Sequence, residues 1–315
     1  MNNVIYFDNR PTLNFGDADF TCGIKKGGYQ HNNGNWVETP ESFFVVREDT
    51  GQPFKAVGKD YQLVQHPEAF KTAEKIIEQS GINTEGMERD FKISHDGARA
   101  FGYYSFPKHR EAVAVGDEVQ LQLLVRNSID GSMRFCIEYG AIRLACLNGM
   151  TAFSAIGKFK RKHTKYLNIH DAIEPLTNVL DIYNNSLEIW QKFTRKQVTD
   201  AEAITYIADA VATKEINKYV TSNINEHPYN GVVDYLLWDG QLSRAYQLKD
   251  VWKEYKRYRK ELGSTLWAVY NSLTHWATHY DAYKESSQKN IEAIKNDRRT
   301  SIAKTADNVL LKAVA

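Results

Sequence analysis

The segment KFKRKHTK, residues 158–165, holds five cations in eight positions: Lys158, Lys160, Arg161, Lys162 and Lys165. Phe159 lies among them and Tyr166 follows directly. Cations beside aromatic rings suit an unpaired nucleic-acid strand, because the cations follow phosphates and the rings stack on exposed bases. The plainer reading is a solvated basic linker, and both readings stand on sequence alone. Upstream, RNSIDGSM (126–133) sets Asn127, Ser128, Asp130, Gly131 and Ser132 between Arg126 and Arg134. Asp-Gly makes a turn, and Asn and Ser side chains bond local backbone. The functional reading is a polar loop whose flanking Arg126 and Arg134 reach phosphates. In VWKEYKRYRK (251–260), helical spacing puts Lys253, Lys256, Arg257 and Lys260 on one face. Trp252, Tyr255 and Tyr258 then form the packing face.

Other reactive residue types give weaker signals. Cys146, among Leu144, Ala145 and Leu147, reads as a small buried hydrophobe. A nucleophilic thiol needs a neighbouring base, and no Cys–His signature surrounds it or His163. His275 and His279 are four residues apart, but Trp276 stands where a zinc protease would carry glutamate. No ligand triad completes the pair, so no metal is expected. Walker, GxSxG and kinase patterns are absent, and no catalytic residue or cofactor is identified. An enzyme whose catalytic residues lie far apart in sequence stays compatible with this.

These residues need elements to position them. The expected fold is α+β: a mainly antiparallel, curved β-sheet with a packed helix, followed by a helical C-terminal region. Residues 1–41 are expected to be irregular, since GGYQHNNGNW (27–36) has no period. Residues 42–166 are expected to form one sheet domain, with strands at 42–49, 53–64, 87–94, 98–106, 118–129 and 133–150. A helix is expected at 66–81, with Pro67 in its first turn and Gly81 at its end. Asp96-Gly97 and Asp130-Gly131 mark hairpins, and Gly140 marks a bulge or bend. Leu121, Leu123, Val125 and Ile142 are expected to be largely buried. From residue 167 onward the pattern is helical, at about 169–195, 199–213, 229–238, 245–260, 263–283 and 286–313. Thr199 and Glu202 have capping-box spacing. The helical region is either a separate domain or wrapped against the sheet.

Four stretches carry a family resemblance: GKDYQLVQHPEAF (58–70), RNSIDGSM, IRLACLNGM (142–150) and KHT (162–164). In order and wording they resemble the DUF932 phage/plasmid-like family, with LWAVYNSLTHWATHY (266–280) similar to its late aromatic helix. Ile129 stands where the family often has histidine, and Gly149 follows Asn148 at a variable position. The resemblance implies a phage or plasmid context and no particular activity.

The net charge of the 315-residue chain is only +1, so nucleic-acid binding requires a local patch. No apolar run has the length of a membrane span. The start MNNVIYFDNRP lacks a signal-peptide layout, and three cysteines without CxxC spacing fit a reducing host cytoplasm. The leading expectation is a protein that binds single-stranded DNA, forms a homo-oligomer and resembles Rad52-type annealing proteins in general layout. The rival is a non-catalytic protein that binds a host protein, through aromatic surfaces of the kind that make hot spots.

Overall fold

A computed structural model describes residues 14–151, 157–211, 228–282 and 285–315. Parts of the expected N-terminal segment and of helices 199–213 and 263–283 lie outside them. The fold is α+β, as expected: the described residues hold nine strands, with one helix between the third and fourth, and helices after the last.

Strand β6 (Asp117–Ser128) shows why the main sheet forms. Val119, Leu121, Leu123 and Val125 alternate with Gln120, Gln122, Leu124 and Arg126, and all are buried. A strand's period of two sends these sets to opposite faces. β4 (Glu88–Ser94), β5 (Arg99–Ala114), β6, β7 (Phe135–Arg143) and β8 (Asn148–Thr151) run in that order, all antiparallel, in a curled sheet. β9 (Lys158–Arg161) pairs with the other end of β7. Both Asp-Gly hairpins exist, and His95, Asp96, Gly97 and Gly131 have the positive φ angles their turns need. β5 runs on past its expected end, through an irregularity between Ser105 and Arg110 that accommodates Pro107. Gly140 stays in register opposite Gln122, so it marks no bulge. Leu121, Leu123 and Val125 are fully buried and Ile142 less completely, because it faces a cleft on the polar side of the sheet.

The N-terminal expectation is overturned. Residues 22–57 form a second, three-stranded sheet: β1 (Cys22–Gln30), β2 (Trp36–Arg47) and β3 (Pro53–Val57). Residues 42–165 therefore do not make one sheet, and 27–36 contains the ends of two paired strands. Much of this ribbon is exposed on both sides, so no hydrophobic alternation is required of it.

The apolar face of the main sheet is covered by α1 (His66–Ser80) and α2 (Val179–Arg195). Gly81 ends α1 in the left-handed region at φ 67°. Gly102 admits the Phe70 ring, which would lie 2.8 Å from a Cβ there. Tyr183 of α2 donates to the Val119 carbonyl at 2.9 Å. The remaining helices are α3 (Asp200–Val211), α4 (Pro228–Trp238), α5 (Leu242–Leu262), α6 (Leu266–His279) and α7 (Ile291–Thr305). The Thr199–Glu202 capping box is formed, with Glu202 accepting from the Thr199 amide at 2.7 Å. One apolar core runs from the sheet through Trp190, Tyr255, Trp267 and Leu273, so the helices are wrapped against the sheet. α7 lies across the polar face. No described helix is long and apolar enough to cross a membrane.

Candidate nucleic-acid interface

Strand parity sorts the basic segment. On β9, Phe159 turns into the apolar core and meets Phe135 edge-on at 6.0 Å. Phe159 is thus a packing residue, not a stacking platform. Lys158 and Lys160 turn to the opposite, polar face. There Lys158 Nζ lies 2.5 Å from Glu138, which also takes an ion pair from Arg126. Arg126 is buried, and its second nitrogen donates to Asn296 Oδ1 at 2.6 Å. Burial opposes the Glu138 charge, but Arg126 and Lys158 outweigh it and hold the carboxyl below its usual range. Arg126 and Lys158, both expected to touch phosphates, are therefore committed inside the protein.

The other candidates remain available. Arg134, Lys160, Arg161 and Lys162, and with them Lys55, which the sequence does not single out, have no carboxylate partner among the described residues. Burial lowers the Lys160 pKa, and Lys158 and Arg126 add to the effect. That like-charge crowding is what an added anion relieves. Tyr166 is 83% exposed, with Lys165 Nζ 5.1 Å from its ring centroid. Lys165 has a loose partner in Asp60 at 3.9 Å.

A furrow joins Lys55, Arg134, Lys160 and Lys162, while Arg161, Lys165 and Tyr166 are their neighbours in sequence and do not line it. Its largest part, about 470 Å³, lies between Lys55, Tyr61, Arg134 and Lys162. It continues past Arg134 to Lys160 and past Tyr61 to Lys59. Tyr61 forms the floor: its hydroxyl donates to the Ile129 carbonyl at 2.6 Å, and its ring stacks on His163 at 5.7 Å. Gly131 lets it approach, since a Cβ there would lie 2.9 Å from the ring. The 126–133 loop earns its polar residues structurally. Asp130 accepts from the Ser132 amide at 3.0 Å, Ser128 bridges both backbone groups of Met133, and Asn127 donates to the Val64 carbonyl at 2.8 Å. Asp130 places a negative charge in the main part of the furrow, Asp297 one at the Lys160 end, and Glu41 and Asp60 two at the Lys59 end.

Of the stretch 251–260, Trp252, Tyr255 and Tyr258 are buried, as the helical spacing predicts. Lys253, Lys256 and Lys260 are exposed on α5, far along the fold from β9, and Arg257 pairs with Glu254 at 2.7 Å.

Sequence reasoning missed one polar centre. Asn148, fully buried, donates to Tyr258 Oη at 3.0 Å and to the Asn271 carbonyl at 3.2 Å. Its Oδ1 lies 3.2 Å from His275 Nδ1, while His275 Nε2 faces Glu254 at 3.7 Å. Cys146 is half-buried rather than buried, and Arg143 Nη1 donates to its sulfur at 3.2 Å. His275 and His279 do share a face, with ring centroids 4.5 Å apart, but no group of three potential metal ligands occurs among the described residues. Stretches 142–150 and 266–280, distant in sequence, thus converge on one node.

A family model described as "Domain of unknown function (DUF932)" matches residues 53–300. The chain belongs to this family. The match takes in both sides of the Asn148 node and all of the furrow's cations. No curated protein and no solved structure matches this DUF932 protein.

Proposed function

We propose that this DUF932 protein binds single-stranded nucleic acid along the furrow beside β9. The observation that carries the reading is the set of four cations, Lys55, Arg134, Lys160 and Lys162, left without carboxylate partners along one groove, with Arg161 beside them on β9. Phosphates supply the missing anions, and binding releases condensed counterions. Tyr166 supplies an exposed ring for a base. The bases themselves are read weakly, since the furrow offers few groups beyond charge and Tyr61. Such a protein needs no catalytic residue. If it assembles as a homo-oligomer, joined furrows extend the strand-binding path, and annealing of complementary strands follows from base pairing alone.

Titration with labelled single- and double-stranded oligonucleotides at two salt concentrations tests this. Tighter binding to single strands that weakens steeply with salt is the expected result; no binding at low salt refutes it. One observation favours the rival reading of a protein partner: Ile24, Tyr29 and Trp36 are exposed on the β1–β2 ribbon. If Trp36→Ala abolishes capture of a partner and leaves oligonucleotides unbound as in the parent, that reading prevails.

A further inference from the structure

The polar face of the main sheet carries a second depression, on the other side of α7 from the furrow. It is a cleft of about 420 Å³ between the inner ends of β4–β6, the turn before β8, and the α6–α7 helices. That size suits a small molecule. Tyr103 and Gln122 lie at the sheet side; His279, Lys295 and Arg299 come from the helices.

The charges here are unevenly matched. Lys92 is 3.1 Å from Asp90 and 3.7 Å from Glu292, and Lys295 is 3.9 Å from the same Glu292. Arg299 has no carboxylate partner among the described residues. Its Nη1 donates to Tyr103 Oη at 3.1 Å, which in turn donates to Glu292 at 3.0 Å, and among the described residues its Nε is buried without an acceptor and Nη2 has none. Gly149 makes room for it: a Cβ there would stand 3.0 Å from Nη2. Burial pushes the His279 imidazole down, and Lys295 and Arg299 push the same way; on the helix side these two cations outnumber the one carboxylate, Glu292. A half-buried guanidinium without a counter-charge is costly unless a ligand supplies one.

The cleft's rim is also built with strain. Leu147 is held at φ 53°, in the left-handed region, with its side chain 61% exposed at the mouth. A branched side chain stays there only where its surroundings over-determine it. They do so here, because Asn148 is wired to Tyr258 and Asn271, and the Gly149 amide donates to Thr278 Oγ1 at 3.1 Å.

We propose that this cleft binds a small phosphorylated molecule, with the phosphate seated against Arg299 and Lys295 and the remainder toward Gln122. A phosphate dianion matches the unpartnered Arg299 together with the loosely held Lys295; a carboxylate answers Arg299 alone. The proposal does not rest on strand binding in the furrow, from which α7 separates it.

Calorimetric titration of the full chain with ribose 5-phosphate tests it, with sodium acetate at matched ionic strength as the carboxylate arm. Saturable binding of ribose 5-phosphate but not acetate is expected. Arg299→Gln and Lys295→Gln should each weaken it about tenfold or more, the scale of one charge-assisted hydrogen bond. Gly149→Ala, which keeps every charge, should weaken it too by displacing the guanidinium. Oligonucleotide binding should be unchanged in all three. If Arg299→Gln fails to fold, Lys295→Gln decides, since its side chain is largely at the cleft wall. No saturable binding, equal binding of acetate, or undiminished binding by Lys295→Gln overturns the assignment.

Discussion

The two sides of α7 treat cations in opposite ways. Under the helix, Arg126 and Lys158 converge on the buried Glu138, and each has a carboxylate within ion-pair reach. At the outer edge, Arg134, Lys160 and Lys162 line a furrow without carboxylate partners, and Arg161 lies beside them on β9. Arg126 and Arg134 belong to one loop-flanking pair, and Lys158 and Lys160 to one strand. Proximity in sequence therefore says little about role. What separates structure from candidate function here is whether a carboxylate stands within reach.

If that contrast is right, the inner charges govern stability and the outer ones do not. The largest effect is expected from Glu138→Ala, which strands Arg126 in the interior without a counter-charge. It should cost about 3–5 kcal/mol in urea-induced unfolding. A loss under about 1 kcal/mol would mean that the pair is solvated and that the division between inner and outer cations is false.

Acid should act next. His66 is buried, lies 2.9 Å from the Gly97 carbonyl, and has its pKa lowered to about 4, chiefly by burial. In the unfolded chain histidine titrates near ~6.5. Above that pH the imidazole is neutral in both states and stability is fully present. As pH falls toward 4, only the unfolded chain takes up the proton, and up to about 3 kcal/mol is lost. Unfolding measured at pH 7 and pH 4.5 should show this loss, and His66→Gln should reduce it.

Asn148→Ala should cost about 1–3 kcal/mol, because Tyr258 and His275 lose a buried partner. Smallest of all, Arg161→Ala and Lys162→Ala should change stability by less than about 1 kcal/mol each. Thermal melts of these exposed variants should overlay the parent.

Much of this contrast was written in the sequence, though not all of it legibly. The alternation of Val119 to Arg126 and the two Asp-Gly turns identify the main sheet, because a buried strand must alternate. β2 is expected from residue 42, but β1 and the first half of β2 escaped because Ile24 to Lys26 and Trp36 to Glu41 are exposed and answer to no buried face. In KFKRK the cations were visible, but treating the segment as linker hid the parity that turns Phe159 inward and commits Lys158 to Glu138. The Asn148 node was illegible for a different reason. Its partners Tyr258, Asn271 and His275 lie more than a hundred residues away, and nothing local announces such a meeting.

The central claim is that the unpartnered cations at the β9 edge hold phosphates. It is tested most directly by the salt dependence of single-stranded DNA binding in two variants. One carries Arg134→Ala, Lys160→Ala, Arg161→Ala and Lys162→Ala; the other carries Lys253→Ala, Lys256→Ala and Lys260→Ala on the exposed face of α5. At roughly −0.7 per phosphate contact, the first should lose about 3 from the log–log slope and most of its low-salt affinity. The second should bind like the parent. Equal losses in both variants, or none in the first, would contradict the account.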